Sequence, residues 1–128
     1  MTHSMSRRRT GWVAASTALA WLGFYIHNIA DLPGQTLLSP ETSLPTLITF
    51  LLFLAWWRFP PARVATWLLL GWGVLNLIGG ALSVIPFPFL PFYPEQTLWH
   101  YLFHVLYAVT QLPLIGLLWA ALRQSRPL

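Results

Sequence analysis

LWHYLFHVLYAVTQLPLIGLLWAAL, residues 98–122, carries no aspartate, glutamate, lysine or arginine. As a helix rising about 1.5 Å per residue, it is longer than the roughly 30 Å of hydrocarbon in a typical bilayer. Three more apolar stretches precede it, at Gly11–Ala30, Leu44–Phe59 and Ala62–Ile85. The 128 residues include only 7 Lys+Arg and 3 Asp+Glu, whereas charged residues make up about a quarter of a soluble domain. Lipid is therefore the solvent for most of the chain. The fold class expected is all-α: a single-domain, polytopic membrane protein built as a four-helix transmembrane bundle. The second stretch is short for a crossing, so it borrows flanking residues, with Pro45 in its first turn, or the bilayer thins around it.

Arginine placement orients the spans. Arg7, Arg8 and Arg9 precede the first, Arg58 and Arg63 lie between the second and third, and Arg123 and Arg126 follow the fourth. The two other connections hold Asp31, Glu41 and Glu95 and no arginine. Retention of basic residues on the cytoplasmic side then predicts both termini inside, with a bacterial inner membrane as the expected location. Trp12, Trp56, Trp57, Trp99 and Trp119 fall near span boundaries, where amphipathic rings sit at headgroup level. A cleaved leader ending at Ala18-Leu19-Ala20 is the competing reading of the first span. The apolar run continues through Trp21–Ile26, which a span needs and a leader does not.

With no cysteine, disulfides, iron–sulfur clusters and thiolate metal sites are excluded. The net charge of +4 does not signal nucleic acid, because the arginines cluster at span ends and not along a basic, aromatic-interleaved face. The partners expected are the lipid bilayer and either another membrane protein or a second copy of the chain.

Two linkers are rich in proline. Arg58-Phe59-Pro60-Pro61-Ala62-Arg63 reads as a tight break, since consecutive prolines cannot continue a helix. Residues 86–97, starting Pro86-Phe87-Pro88-Phe89-Leu90-Pro91-Phe92-Tyr93-Pro94, alternate proline with large apolar side chains and fit neither helix nor regular strand. They are expected at the outer interface, as a rigid turn, as a lid over a site or as a docking surface for another membrane protein.

Polar groups inside spans are costly and so carry information. His27 and Asp31 share a face at the outward end of span one, four residues apart. His100 and His104 do the same in span four, and their face continues through Tyr107 and Gln111. His27, His100 and His104 can supply three nitrogens to zinc, with a fourth position left for water. Asp31 would then act as an outer acceptor orienting His27, or as a general base, with Gln111 beyond it. A haem between His27 and His100 or His104, with Gly79 or Gly80 giving clearance, is the other cofactor these residues allow. A proton or a quinone could use the same groups. The plain alternative is that they hydrogen-bond headgroups, water and loop carbonyls. Span three offers Gly73, Asn76, Gly80 and Ser83 on one face for close helix packing, with Asn76 expected to reach Gln111.

Residues Gly79–Pro86, Pro91–Thr97 and the run from His100 through Gln111-Leu112-Pro113 resemble uncharacterised small four-span integral membrane proteins of bacteria, over roughly the last half of the chain. That resemblance implies a fold and no activity. The histidine and aspartate set also loosely resembles that of membrane ceramidase-type hydrolases, which have more spans and a characteristic serine. Two functions therefore stand open. One is a non-enzymatic accessory protein or complex subunit. The other is an outer-leaflet histidine site for zinc or haem, serving a membrane hydrolase or an electron- or proton-transfer component.

Overall fold

A computed structural model describes residues 2–58 and 63–124, with side chains from residue 7 onward. The Pro60-Pro61 break and Arg126 lie outside the described residues. The described chain is all helical: α1 (Thr2–Asp31), α2 (Pro40–Arg58), α3 (Arg63–Leu75) and α4 (Leu98–Gln124). A π-helical turn, Asn76–Gly80, and a 3-10 turn, Ala81–Val84, extend α3. Among the described residues, three segments are long and apolar enough to cross a membrane, namely Arg7–Asp31, Arg63–Val84 and Leu98–Gln124.

Helix ends differ from the apolar limits for local reasons. α1 starts well before Gly11, because Thr2–Thr10 is polar but contains no helix breaker. α2 starts at Pro40, where Ser39 receives the Thr36 N–H on its hydroxyl at 2.9 Å and the Thr42 N–H on its carbonyl at 2.9 Å. Proline at the first helical position followed by Glu41 completes a regular helix start. Pro45 consequently lies inside α2 and not in its first turn. α4 is capped by Thr97, whose hydroxyl accepts the His100 N–H at 3.2 Å. Residues 86–97 form no regular element, in keeping with their prolines.

α1 and α4 run antiparallel in close register. Gln111 Nε2 donates to the Ala20 carbonyl at 2.9 Å, and a Cβ on Gly23 would run into the Thr110 side chain. Glycine at 23 is therefore a steric requirement of the α1–α4 approach. At one end of this pair Arg9 donates to Gln124 Oε1 at 2.5 Å. At the other, His27 meets His104. α2 runs back along α1, with the Trp21 indole N–H donating to Thr46 at 2.8 Å, and Trp72 of α3 donating to Thr49 at 2.9 Å. This alternation collects the described arginines at one end of the bundle and His27, His100 and His104 at the other.

An aliphatic core of Val13, Ala20, Leu69, Leu70, Leu114, Leu118 and Leu122 fills the arginine end. A smaller cluster, Phe24, Ala81 and Tyr107, separates it from the histidines. The small residues of span three do meet α4: a Cβ on Gly73 would lie 3.2 Å from Ile115, and one on Gly80 would lie 2.6 Å from the Tyr107 hydroxyl. Ser83 instead donates to the Gly80 carbonyl at 2.6 Å, within its own segment. Asn76 does not reach Gln111. Its Oδ1 accepts from the Tyr107 hydroxyl and its Nδ2 donates to the Trp72 carbonyl at 2.9 Å. Similar depth, the ground for the expected Asn76–Gln111 pairing, does not set which side chains face each other, and Gln111 faces α1.

Candidate metal centre

The centre starts with a proline. Pro45 has no N–H, so the carbonyl of Glu41, four residues earlier, lacks its helical donor. Asn28 Nδ2 reaches that carbonyl at 3.2 Å and the Thr42 hydroxyl at 3.1 Å. Thr42 spends its own proton on Gln35 Oε1 at 2.9 Å, so it accepts from Asn28. The amide of Asn28 is thereby fixed with its oxygen toward His27, whose Nδ1 lies 2.9 Å away. An amide oxygen only accepts, so His27 carries its proton on Nδ1.

His104 is set from a different element. That element is the 3-10 turn Ala81–Val84, which closes the extension of α3. His104 Nδ1 lies 2.7 Å from the Ala81 carbonyl, and Gln96 Nε2 donates to that of Val84 at 2.9 Å. A carbonyl also only accepts, so His104 too is protonated on Nδ1. The two Nε2 atoms, both bare, then face each other at 3.0 Å. Two lone pairs at that separation repel unless a cation stands between them.

Asp31 adds a third lone pair. Its Oδ2 lies 3.8 Å from His27 Nε2, and its side chain is only 2% exposed. The same oxygen abuts His100 Nδ1, but neither atom has a hydrogen-bond partner of acceptable geometry. Donor atoms of His27, Asp31 and His104 all lie within 4.8 Å of one another. Ligands about 2.0–2.1 Å from a tetrahedral ion sit roughly 3.3 Å apart; the 3.0 and 3.8 Å pairs bracket that value, and the Asp31–His104 pair, within 4.8 Å, would close on binding. Donating the distal ring N–H to a carbonyl or amide oxygen is the usual support of a metal-bound histidine.

No protein-family model, curated protein or solved structure matches this chain. The site is therefore read from its own geometry.

His27, His100 and His104 come together as the sequence spacing predicts, but the roles shift. Asp31 takes a place beside the two facing nitrogens, while His100 stands outside it against the carboxylate. The group orienting His27 is Asn28, and not Asp31. Gln111 does not serve the site, since its amide goes to Ala20. A haem between His27 and His104 does not fit: their two Nε2 atoms are too close for a macrocycle to pass between them, and Tyr107 covers the face of Gly80. The sequence reading missed the outer supports. Asn28 was visible as an amide inside a span, but the acceptor role of Ala81 belongs to backbone and has no residue signature.

The centre opens on a cavity of about 350 Å³ lined by His27, His100, His104, Leu32, Ser83, Phe92, Pro94, Glu95 and Tyr107, among others. The loop of residues 86–97 forms its outer wall. Gln96 fastens that loop, donating to the carbonyls of Val84 and Pro94 while its oxygen accepts from the Tyr101 hydroxyl at 2.5 Å.

Proposed function

We propose that this chain is a four-helix integral membrane protein of a bacterial inner membrane that binds a divalent transition ion of the zinc class on His27, His104 and Asp31. In this reading α2 is the fourth crossing, both termini are cytoplasmic, the ion sits at the outer end, and the chain is akin to small bacterial four-span proteins. The observation that carries it is the pair of bare imidazole nitrogens at 3.0 Å, each fixed by a distal hydrogen bond. A proton shared between them would relieve the same repulsion. The metal is favoured because the buried carboxylate of Asp31 lies 3.8 Å from His27 Nε2 and adds an anionic ligand to the same cluster. Two histidines and one carboxylate leave a coordination position open, as in sites that bind or transform a ligand and not in closed structural ones.

The test uses the full chain purified in detergent, with zinc content measured and affinity read by chelator competition. One equivalent per chain is expected, lost in His27→Ala and His104→Ala. A protein that takes up no zinc, with both variants behaving like the parent, removes the metal reading. If nitrogen-15 shifts then show the two rings sharing one proton, the pair belongs to proton chemistry. The accessory-subunit reading is separate, and co-purification of a stoichiometric membrane partner from mild detergent would support it.

A further inference from the structure

Resting on the metal reading above, we infer that the open coordination position takes the head of an amphipathic monoanion, a medium- or long-chain carboxylate, whose apolar body lies in the cavity under Phe92.

Charge balance comes first. A divalent ion on two neutral imidazoles and one carboxylate keeps one positive charge, which surroundings of low dielectric penalise strongly unless one anion joins it. Hydroxide could fill that role in water. The cavity, however, measures about 350 Å³, roughly twelve times the volume of a liquid water. Its walls include Leu32, Phe92 and Pro94 beside the ligating histidines. Such walls favour an apolar chain over a file of waters.

The source of recognition comes second. The ionisable groups at this end besides histidine and tyrosine are Asp31, Glu41 and Glu95; among the described residues no arginine is present there. Without the ion this end repels anions, so carboxylate binding must depend wholly on the metal. The cavity also lies at the end of the bundle, between α1, α4 and a loop whose Phe89, Phe92 and Tyr93 are well exposed. That placement suits entry of a chain from the lipid side.

The experiment loads the full chain with cobalt(II), whose visible absorption reports its ligands, and titrates octanoate and acetate separately. Octanoate is expected to change the spectrum at a concentration about ten-fold lower than acetate, the effect of burying roughly two methylenes. Phe92→Ala and, independently, Leu32→Ala should each reduce that preference while leaving the ligand-free cobalt spectrum unchanged. Calorimetry on the metal-free chain should show no specific octanoate binding. If cobalt does not bind, the metal reading itself fails. If cobalt binds with the expected spectrum but octanoate and acetate act alike, or neither acts, this inference fails and the metal reading stands. Equal octanoate binding with and without metal would also overturn it.

Discussion

Replacing Asn28 with alanine removes the side chain that dictates which nitrogen of His27 is protonated. In the native site its oxygen holds the Nδ1 proton at 2.9 Å, while its amide nitrogen spans to α2 at 3.2 and 3.1 Å. Without it, the His27 ring is free to rotate or to move its proton to Nε2, which would close the coordinating lone pair. Loss of such an outer partner weakens metal binding by about 10–100-fold, or roughly 1.4–2.8 kcal/mol. The metal-free protein should also lose about 2 kcal/mol, taking three bonds at the ~0.6 kcal/mol average measured for side-chain hydrogen bonds within membranes. Asn28→Asp separates the two effects. A carboxylate still accepts from Nδ1, so zinc affinity should stay within a few-fold of the parent. It also faces the Glu41 carbonyl with no donor, so the metal-free form should melt as low as the alanine variant or lower. Chelator competition gives the affinity, and thermal unfolding of metal-free protein in detergent gives the stability. If Asn28→Ala lowers stability but leaves zinc affinity untouched, Asn28 is only a strut between α1 and α2 and the tautomer argument is wrong.

Pro45→Ala should act in opposite directions on the same two measurements. It gives Glu41 its helical donor and removes an interior proline costing about 3 kcal/mol in an ordinary helix, so the melt should rise, while competition for the Asn28 acceptor weakens zinc binding; a rise in both would contradict the coupling. Gly23→Val should disrupt α1–α4 packing and abolish zinc uptake, because its Cβ would collide with Thr110, whereas Gly71→Val has open space and should be silent; equal behaviour in thermal melts would refute the register. The chain has no cysteine, so single cysteines at Glu95 and Gln124 can be probed in intact cells. An impermeant maleimide should label position 95 and spare 124, and the reverse pattern would invert the proposed topology.

Much of the fold was legible because the bilayer imposes few solutions. The run from Leu98 to Leu122 is a helix by the cost of leaving backbone groups bare in lipid, and the structure extends it only to Gln124. The true start of α2 was hidden because apolarity marks a span and not a helix; Ser39-Pro40-Glu41 carried the capping signal. Of the site, the i, i+4 pairs His27/Asp31 and His100/His104 were readable as shared faces. Which helices would meet was not, and the division of roles depends on that. Asp31 is buried against His100 of α4. His104 is oriented by the Ala81 carbonyl, in the 3-10 turn that closes the extension of α3. Asn76 found Tyr107 and not Gln111 because similar depth does not fix facing, and Gln111 turns to Ala20 of α1.

His27 and His104 are proposed to present bare Nε2 atoms to one ion beside Asp31. X-ray absorption at the zinc edge of the loaded full chain tests it most directly. The geometry predicts nitrogen and oxygen neighbours at about 2.0–2.1 Å, with outer-ring scattering from two imidazoles that falls to one in His104→Ala. A loaded ion with no imidazole scattering, or one whose signal His104→Ala leaves unchanged, would contradict it.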